Sequence, residues 1–122
     1  MAYLIDTDVM VDVSRRNADA ANYVDSLADI WIAIITAHEL IVGARDKRDA
    51  AAIDGLVAII HVNDFIGIRA YDLLKTYAKS HGLRTFDSLI AATALEGDLT
   101  LVTRNRKHFE MIDGIKLLIP DY

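Results

Sequence analysis

The chain has 122 residues, of which 53% are hydrophobic and 25% charged, and this size and composition fit one globular domain over residues 1–122. It has no cysteine, which excludes a disulfide framework and a thiolate metal site and suits the reducing cytoplasm, where we expect the protein. The net charge of −5 excludes binding of nucleic acid through overall positive charge, so any such site depends on the placement of individual bases.

Apolar runs alternate with amphipathic stretches along the chain. In chain order they predict a strand over residues 3–5, helices over 8–15 and 18–27, a strand over 30–34, a helix beginning at Thr36, a helix over 47–57, a strand over 59–62, a helix over 64–81, a helix from Thr85 to Gly97, a strand over 99–103, a short helix from Asn105 to residue 112, and a strand over 116–119. The predicted apolar face of the longest helix carries Ile68, Tyr71, Leu74, Tyr77 and Ala78, and Gly82 ends that helix.

Strands that are continuous apolar runs and alternate with helices are typical of parallel sheets buried on both faces. We therefore expect an α/β fold, a three-layer sandwich with a central, mainly parallel sheet of about five strands. The longest apolar run, residues 30–35, is far shorter than the ~20 residues that span a bilayer, and the first residues lack the pattern of a signal peptide. We expect no membrane partner.

Acidic side chains follow several of the predicted strands. Asp6 ends the first strand, Glu39 is expected in the first turn of the helix after the second strand, and Asp87 in the first turn of the helix that Thr85 caps. Asn105 follows the fourth strand. Because ligands of parallel α/β sheets bind beyond the carboxyl ends of the strands, we expect these side chains to converge at one edge.

Each of these residues also has a simpler interpretation as a helix cap. Thr36 and Glu39 have the spacing of a capping box. Asp87 complements a helix dipole, and Asp6 and Asn105 are ordinary N-cap residue types. Capping alone, however, does not require a carboxylate at three such places.

Three carboxylates brought together repel one another unless a cation compensates their charge. Mg²⁺ prefers oxygen ligands, uses few carboxylates and keeps several waters that a phosphate can displace. We therefore expect Asp6, Glu39 and Asp87 to form a Mg²⁺ or Mn²⁺ site that activates water against a phosphodiester.

Basic residues surround the acids in the sequence. Arg84 precedes Asp87, and Arg104 and Arg106 flank Asn105, so these three arginines are the candidates for contacts with RNA phosphates. A second group of bases follows the helices that carry Asp8 and Glu39, namely Arg15, Arg16, Arg45, Lys47 and Arg48. The bases from Arg45 to Arg48 have an equally good interpretation as solvated charges at a helix end.

Four segments stand in a set order along the chain: LIDTDV over residues 4–9, ITAHEL over 35–40 followed by Gly43 and Ala44, FDSLIAATA over 86–94, and LVTRN over 101–105 followed by Phe109. Together they resemble the motifs of PIN-domain nucleases, and in particular of VapC-type toxins from prokaryotic toxin–antitoxin pairs. The resemblance extends from about Leu4 to Pro120, nearly the whole chain, and depends on the ordered set, because no single motif is specific.

The resemblance implies an endoribonuclease that hydrolyses RNA with the help of a metal ion and leaves a 5′-phosphate. It assigns Asp6 and Asp87 as metal ligands, Glu39 as a third acid that orients metal or water, and Thr7 as a hydroxyl beside them. Family members often carry a fourth acid where this chain has His108, and Asn105 is neutral. This departure favours one ion, with Asn105 as a neutral oxygen ligand or a residue that positions water.

The resemblance also implies partners. Toxins of this type pair as homodimers and are held inactive by a cognate antitoxin, whose C-terminal segment lies across the site. We expect RNA, the antitoxin and a second copy of the chain as partners.

Three alternatives compete with this hypothesis. A PIN fold kept as a non-catalytic RNA-binding or scaffold protein is the strongest, although the presence of all three acids argues against it. A receiver-type signalling domain needs an aspartate at the end of a middle strand, whereas Asp54 lies in a predicted helix. A haloacid dehalogenase-like phosphatase matches Asp6 and Asp8 but not Met10, where that motif has Thr or Val.

Overall fold

The computed structural model describes residues 1–55 and 57–122 and is built around short parallel strands. The strands are β1 (Tyr3–Ile5), β2 (Ile30–Ala33), β3 (Ala58–Ile60), β4 (Thr100–Val102) and β5 (Leu117–Leu118). The helices are α1 (Thr7–Ser14), α2 (Ala18–Asp25), α3 (Ile34–Val42), α4 (Lys47–Asp54), α5 (Asp64–His81), α6 (Thr85–Glu96) and α7 (Arg106–Phe109). Within the described ranges the strands form one sheet in the order β3-β2-β1-β4-β5, and every pairing is parallel.

Helices cover both faces of this sheet. Successive side chains of a strand point to opposite faces, and in β1 Leu4 packs into a core with residues of α5 and α6, whereas Ile5 packs into a second core with residues of α1 to α4. Both side chains are fully buried. The predicted three-layer α/β sandwich with a parallel five-stranded sheet is confirmed.

The helix after β2 begins earlier than the sequence predicts. The chain runs from β2 directly into α3, whose N-cap is Ala33 without any side-chain cap, so Thr36 lies inside the helix and is not its cap. The predicted helix over residues 47–57 is α4, which ends at Asp54; the prediction also included Leu56, which lies outside the described residues.

The predicted apolar face of α5 is correct only in part, because Leu74 and Tyr77 pack against the core and are partly buried. Ile66, Ala70 and Leu73 are its buried residues, whereas Ile68 and Tyr71 are 61% and 64% exposed. Both stripes have the three-to-four residue spacing of a helix, so periodicity alone does not choose between them. The helix ends as predicted at Gly82, whose φ of +72° is the left-handed conformation that favours glycine. Among the helices of the described ranges, none has the length and apolar character needed to cross a membrane.

Candidate active site

The acids predicted from the sequence line one open pocket of about 580 Å³ beyond the ends of β1 and β4. Asp6, Glu39 and Asp87 share this pocket with the two supporting residues Thr7 and Asn105. Its other lining residues are Asp8, Arg84, Thr85, Phe86, Ile90 and His108. The parallel sheet thus brings to one place side chains that are far apart in sequence, as expected for this class of fold.

Asp6 is a buried carboxylate with both oxygens in hydrogen bonds. It is the N-cap of α1, and its Oδ1 accepts from the Thr7 amide at 2.8 Å, while Oδ2 accepts from the Thr103 hydroxyl at 2.7 Å. Burial and then the neighbouring charge of Asp8 raise the pKa of Asp6 to about 7, against the lowering effect of these two hydrogen bonds. Without a cation, the Asp6 carboxyl therefore keeps its proton to a much higher pH than an ordinary aspartate.

Glu39 is held by a threonine hydroxyl and not by a helix terminus. It lies in the second turn of α3, not in the first turn as predicted, and the capping-box interpretation is wrong because the helix begins before Thr36. Thr7 Oγ1 lies 2.9 Å from Glu39 Oε1 and 3.0 Å from Thr36 Oγ1. Because a hydroxyl has one proton, Thr7 can donate to the carboxylate only while it accepts from Thr36.

Asp87 lies in the first turn of α6, as predicted, although the N-cap of that helix is Arg84 and not Thr85. Burial raises the pKa of Asp87, while the neighbouring His108 and Arg84 lower it and the charge of Asp8 raises it. His108 Nδ1 lies 3.5 Å from Asp87 Oδ2. The residue at the place of the expected fourth acid is thus a base that faces an acid of the pocket.

The loop after β4 is tied to the acids by hydrogen bonds. The buried Thr103 hydroxyl, which donates to Asp6, accepts from the Asn105 amide at 3.0 Å. The Arg104 amide donates to Asp8 Oδ2 at 3.0 Å. Asn105 occupies the N-cap position of α7, but its side chain makes no capping hydrogen bond and lines the pocket.

Asp8, Thr36 and Thr103 are residues of the site that the sequence analysis did not assign. Asp8 lines the pocket, and burial raises its pKa. Its position two residues after Asp6, in the first turn of the same helix, was the available signal. The signal for Thr103 was its hydroxyl at the end of a buried apolar strand.

Only one of the three predicted RNA-contacting arginines lines the pocket, namely Arg84. The Arg104 guanidinium is 2.8 Å from Asp12 Oδ2 and stacks over the ring of Tyr122 at 5.3 Å, and the Tyr122 hydroxyl donates to the same carboxylate. Arg106 is paired within α7 and its C-cap, 3.0 Å from Glu110. Arg104 and Arg106 are therefore engaged by acids outside the pocket.

The donor set of the pocket fits a hard divalent cation that keeps part of its water shell. Across residues 1–55 and 57–122, no group of three His, Asp or Glu side chains is close enough to hold an ion as a ready-made cage. Mg²⁺ is usually bound through one or two carboxylates and several waters, so it does not need such a cage. Burial raises the pKa of both Asp6 and Asp87, and a bound positive charge would favour their ionised forms.

The fold and the acidic pocket are those of an α/β domain that presents carboxylates at the edge of a parallel sheet. The family model of the PIN domain matches residues 3–115, and the chain belongs to the PIN domain family. Ribonuclease VapC10 of Mycobacterium tuberculosis is 31% identical over 119 residues, which cover 93% of this chain and 90% of that protein. Ribonuclease VapC19 of the same organism is 32% identical over 120 residues, covering 93% and 96%.

A solved structure agrees with this relationship. A chain of a toxin–antitoxin complex from Klebsiella pneumoniae superimposes with a TM-score of 0.81 at 26% identity, over 97% of both chains. Family membership removes the receiver and phosphatase alternatives, and Asp54 lies at the end of α4, away from any strand end.

Proposed function

We propose that this protein is a metal-dependent endoribonuclease and the toxin of a VapBC-type toxin–antitoxin pair. Its relatives VapC10 and VapC19 are named ribonucleases, and the solved structure with the same fold is part of a toxin–antitoxin complex. The observation that carries the proposal is the pocket itself, where Asp6, Asp8, Glu39 and Asp87 meet and the pKa of Asp6 is raised to about 7. A bound cation would offset the repulsion between the carboxylates of such a pocket and would favour their ionised forms.

In this proposal Asp6 and Asp87 hold one Mg²⁺ or Mn²⁺ ion, and Glu39 orients the metal or the attacking water. The ion supplies activation of water and neutralisation of charge on the phosphate. Thr7 fixes Glu39 through its hydroxyl, and Asn105 offers a neutral oxygen at the rim. Water adds to phosphorus while the bond to the 3′ oxygen breaks, which leaves a 3′ hydroxyl and a 5′ phosphate.

Arg84 binds the RNA backbone in this proposal, because it is the arginine that lines the pocket. Arg104 and Arg106 were equal candidates in the sequence, but their ion pairs with Asp12 and Glu110 must break before either can reach a phosphate. We therefore assign the main phosphate contact to Arg84.

Cleavage of single-stranded RNA by the purified protein tests the enzymatic part. Cleavage is expected with Mg²⁺ or Mn²⁺ and is expected to stop when EDTA is added. Asp87→Asn, which keeps the shape of the side chain and removes its charge, should reduce cleavage to the level of the EDTA sample. Asp25→Asn, an exposed acid at the end of α2, is the matched control and should cut like the wild type.

Equal cleavage by Asp87→Asn, or wild-type cleavage in EDTA, would contradict the assignment of the site. RNA binding without cleavage by a folded wild-type protein would favour the second candidate, a non-catalytic PIN-fold RNA-binding or scaffold protein. The presence of all three predicted acids in one pocket is the observation against that candidate.

The antitoxin is the partner that this proposal requires. A groove of about 520 Å³ between α1, α3 and α4 shares Glu39 with the acidic pocket. Its lining is partly apolar, with Met10, Leu40 and Ile53, and partly basic, with Arg15, Arg16 and Arg45. An antitoxin segment across this groove would reach the acids. Growth arrest on expression, relieved by the product of a small gene directly upstream, tests the toxin role.

We further propose that residues 1–122 act as one nuclease domain, in the cytoplasm, and as a homodimer. The match of the PIN domain over residues 3–115 and the lack of cysteine support the first two statements. Sedimentation of the purified protein tests self-association directly.

A further inference from the structure

The acidic pocket has one apolar wall, formed by Phe86 and Ile90 of α6. These residues are four apart on the helix and therefore lie on the same face, one turn from each other. Ile90 is 1% exposed, whereas Phe86 is 52% exposed at the mouth of the pocket. Asp87, a proposed metal ligand, is the next residue along the chain and lines the same pocket.

Phe86 is one of several large apolar side chains that the fold leaves exposed, and it differs from Phe65, Ile68 and Tyr71 in lining the acidic pocket. Burying a phenylalanine side chain is favourable, and Phe109, which is in the core, is fully buried. The first turn of α6 instead presents an aromatic ring to a pocket whose lining residues are polar or charged apart from Phe86 and Ile90. A divalent ion and a phosphate bind to charged and polar groups and do not account for an apolar wall.

A nucleotide combines the two chemistries that the pocket offers. Its phosphate matches Arg84 and the ion that the acids attract, and its base has an apolar face that stacks on aromatic side chains. The base of a paired duplex is already stacked and is not available to a ring at the pocket mouth, whereas single-stranded RNA has free base faces.

We propose that Phe86 is a base-stacking residue, on which one nucleobase of single-stranded RNA lies while the adjacent phosphate enters the acidic pocket. The inference rests on the proposed ribonuclease function and adds to it the part of the substrate that is recognised, namely a base and not only the backbone. Stacking accepts every base, so Phe86 contributes affinity and selects single strands without reading a sequence.

Binding to two probes that share a phosphate backbone tests the inference. One is a short oligoadenylate of about ten nucleotides, and the other has the same length but carries abasic tetrahydrofuran units. All proteins carry Asp87→Asn to prevent cleavage, and fluorescence anisotropy with Mg²⁺ gives each Kd. We expect the parent protein to prefer oligoadenylate, and Phe86→Leu to reduce that preference about tenfold while binding the abasic probe unchanged.

The chain offers a matched control in Phe65, which is 71% exposed on α5 and does not line the pocket. Phe65→Leu should keep the full preference for oligoadenylate, and Phe86→Trp should keep or increase it. In cleavage assays without the Asp87 substitution, Phe86→Leu should raise KM about tenfold and leave kcat nearly unchanged, because stacking acts on substrate and transition state alike.

Several outcomes would overturn the inference. Phe86→Leu could keep the parent protein's preference for oligoadenylate over the abasic probe. It could also weaken the binding of both probes equally. A change of sedimentation in Phe86→Leu with an unchanged preference would place Phe86 in a protein interface. If the wild type neither binds nor cuts RNA, the proposed function fails together with the inference; if it cuts RNA and only the preference is unaffected, the inference alone fails.

Discussion

Metal-free protein is expected to lose stability as the pH rises from about 4 to about 7, because Asp6 ionises inside the fold. The pKa of its carboxyl is about 7 in the folded protein, against an ordinary value of 3.8. Between these values the unfolded chain releases the proton and the folded chain keeps it. The stabilisation by neutral Asp6 is therefore complete below about pH 4 and is lost as the pH rises through the folded pKa.

The size of this effect follows from the two pKa values. Each pKa unit corresponds to about 1.4 kcal/mol, so the ionisation of Asp6 removes about 4 kcal/mol in total, of which about 3 kcal/mol is lost between pH 5 and pH 8. Urea unfolding in EDTA at several pH values measures the free energy of unfolding directly. Asp6→Asn is neutral at every pH, and comparison with it removes the contribution of other groups.

Between pH 5 and pH 8, the free energy of unfolding of the wild type is expected to fall by about 3 kcal/mol more than that of Asp6→Asn. Mg²⁺ added at pH 8 should restore stability to the wild type, by about 2.7 kcal/mol at a concentration one hundred times Kd, and much less to Asp6→Asn. Parallel pH profiles of the two proteins in EDTA would refute the reasoning, because they would show that Asp6 ionises in the fold as easily as in solution.

Three further predictions concern single side chains. Thr103→Val removes the hydroxyl that donates to Asp6 and should destabilise metal-free protein by about 1–3 kcal/mol at pH 8 and by less at pH 5, in urea unfolding. Phe109→Ala empties a fully buried site and should cost about 3–5 kcal/mol; a loss below 1 kcal/mol would show that the core collapses around it. Arg84→Ala should weaken RNA binding several-fold and reduce the salt dependence of log K by about one, whereas Arg106→Ala, already ion-paired, should leave both nearly unchanged.

Much of the fold follows from the sequence because buried parallel strands have a simple pattern. The runs at Tyr3–Ile5 and Thr100–Val102 are apolar, short and followed by polar residues, and these are the strands that pair at the centre of the sheet. Since the ends of parallel strands share one edge, the meeting of Asp6, Glu39 and Asp87 could also be predicted without knowledge of any contact.

The sequence does not determine which of two equivalent side-chain arrangements the fold adopts. In α5 two stripes have helical spacing, and packing against α6 and the sheet selects Ile66 and Ala70 over Ile68. Pairings between distant elements are likewise invisible in the sequence: Arg104 meets Asp12 across 92 positions, and this contact draws a predicted RNA-binding side chain away from the pocket.

The hydrogen bond between Thr103 and Asp6 joins residues that are 97 positions apart, and β1 pairs with β4 over the same distance. During synthesis the first acid is made almost at once, but its partner strand follows only near the end of translation. In a chain that ends before β4, Asp6 has neither the neighbouring strand β4 nor the Thr103 hydroxyl that donates to its carboxylate. The site seen in the structure therefore requires a chain synthesised as far as Asn105, because Thr103 and Asn105 belong to it.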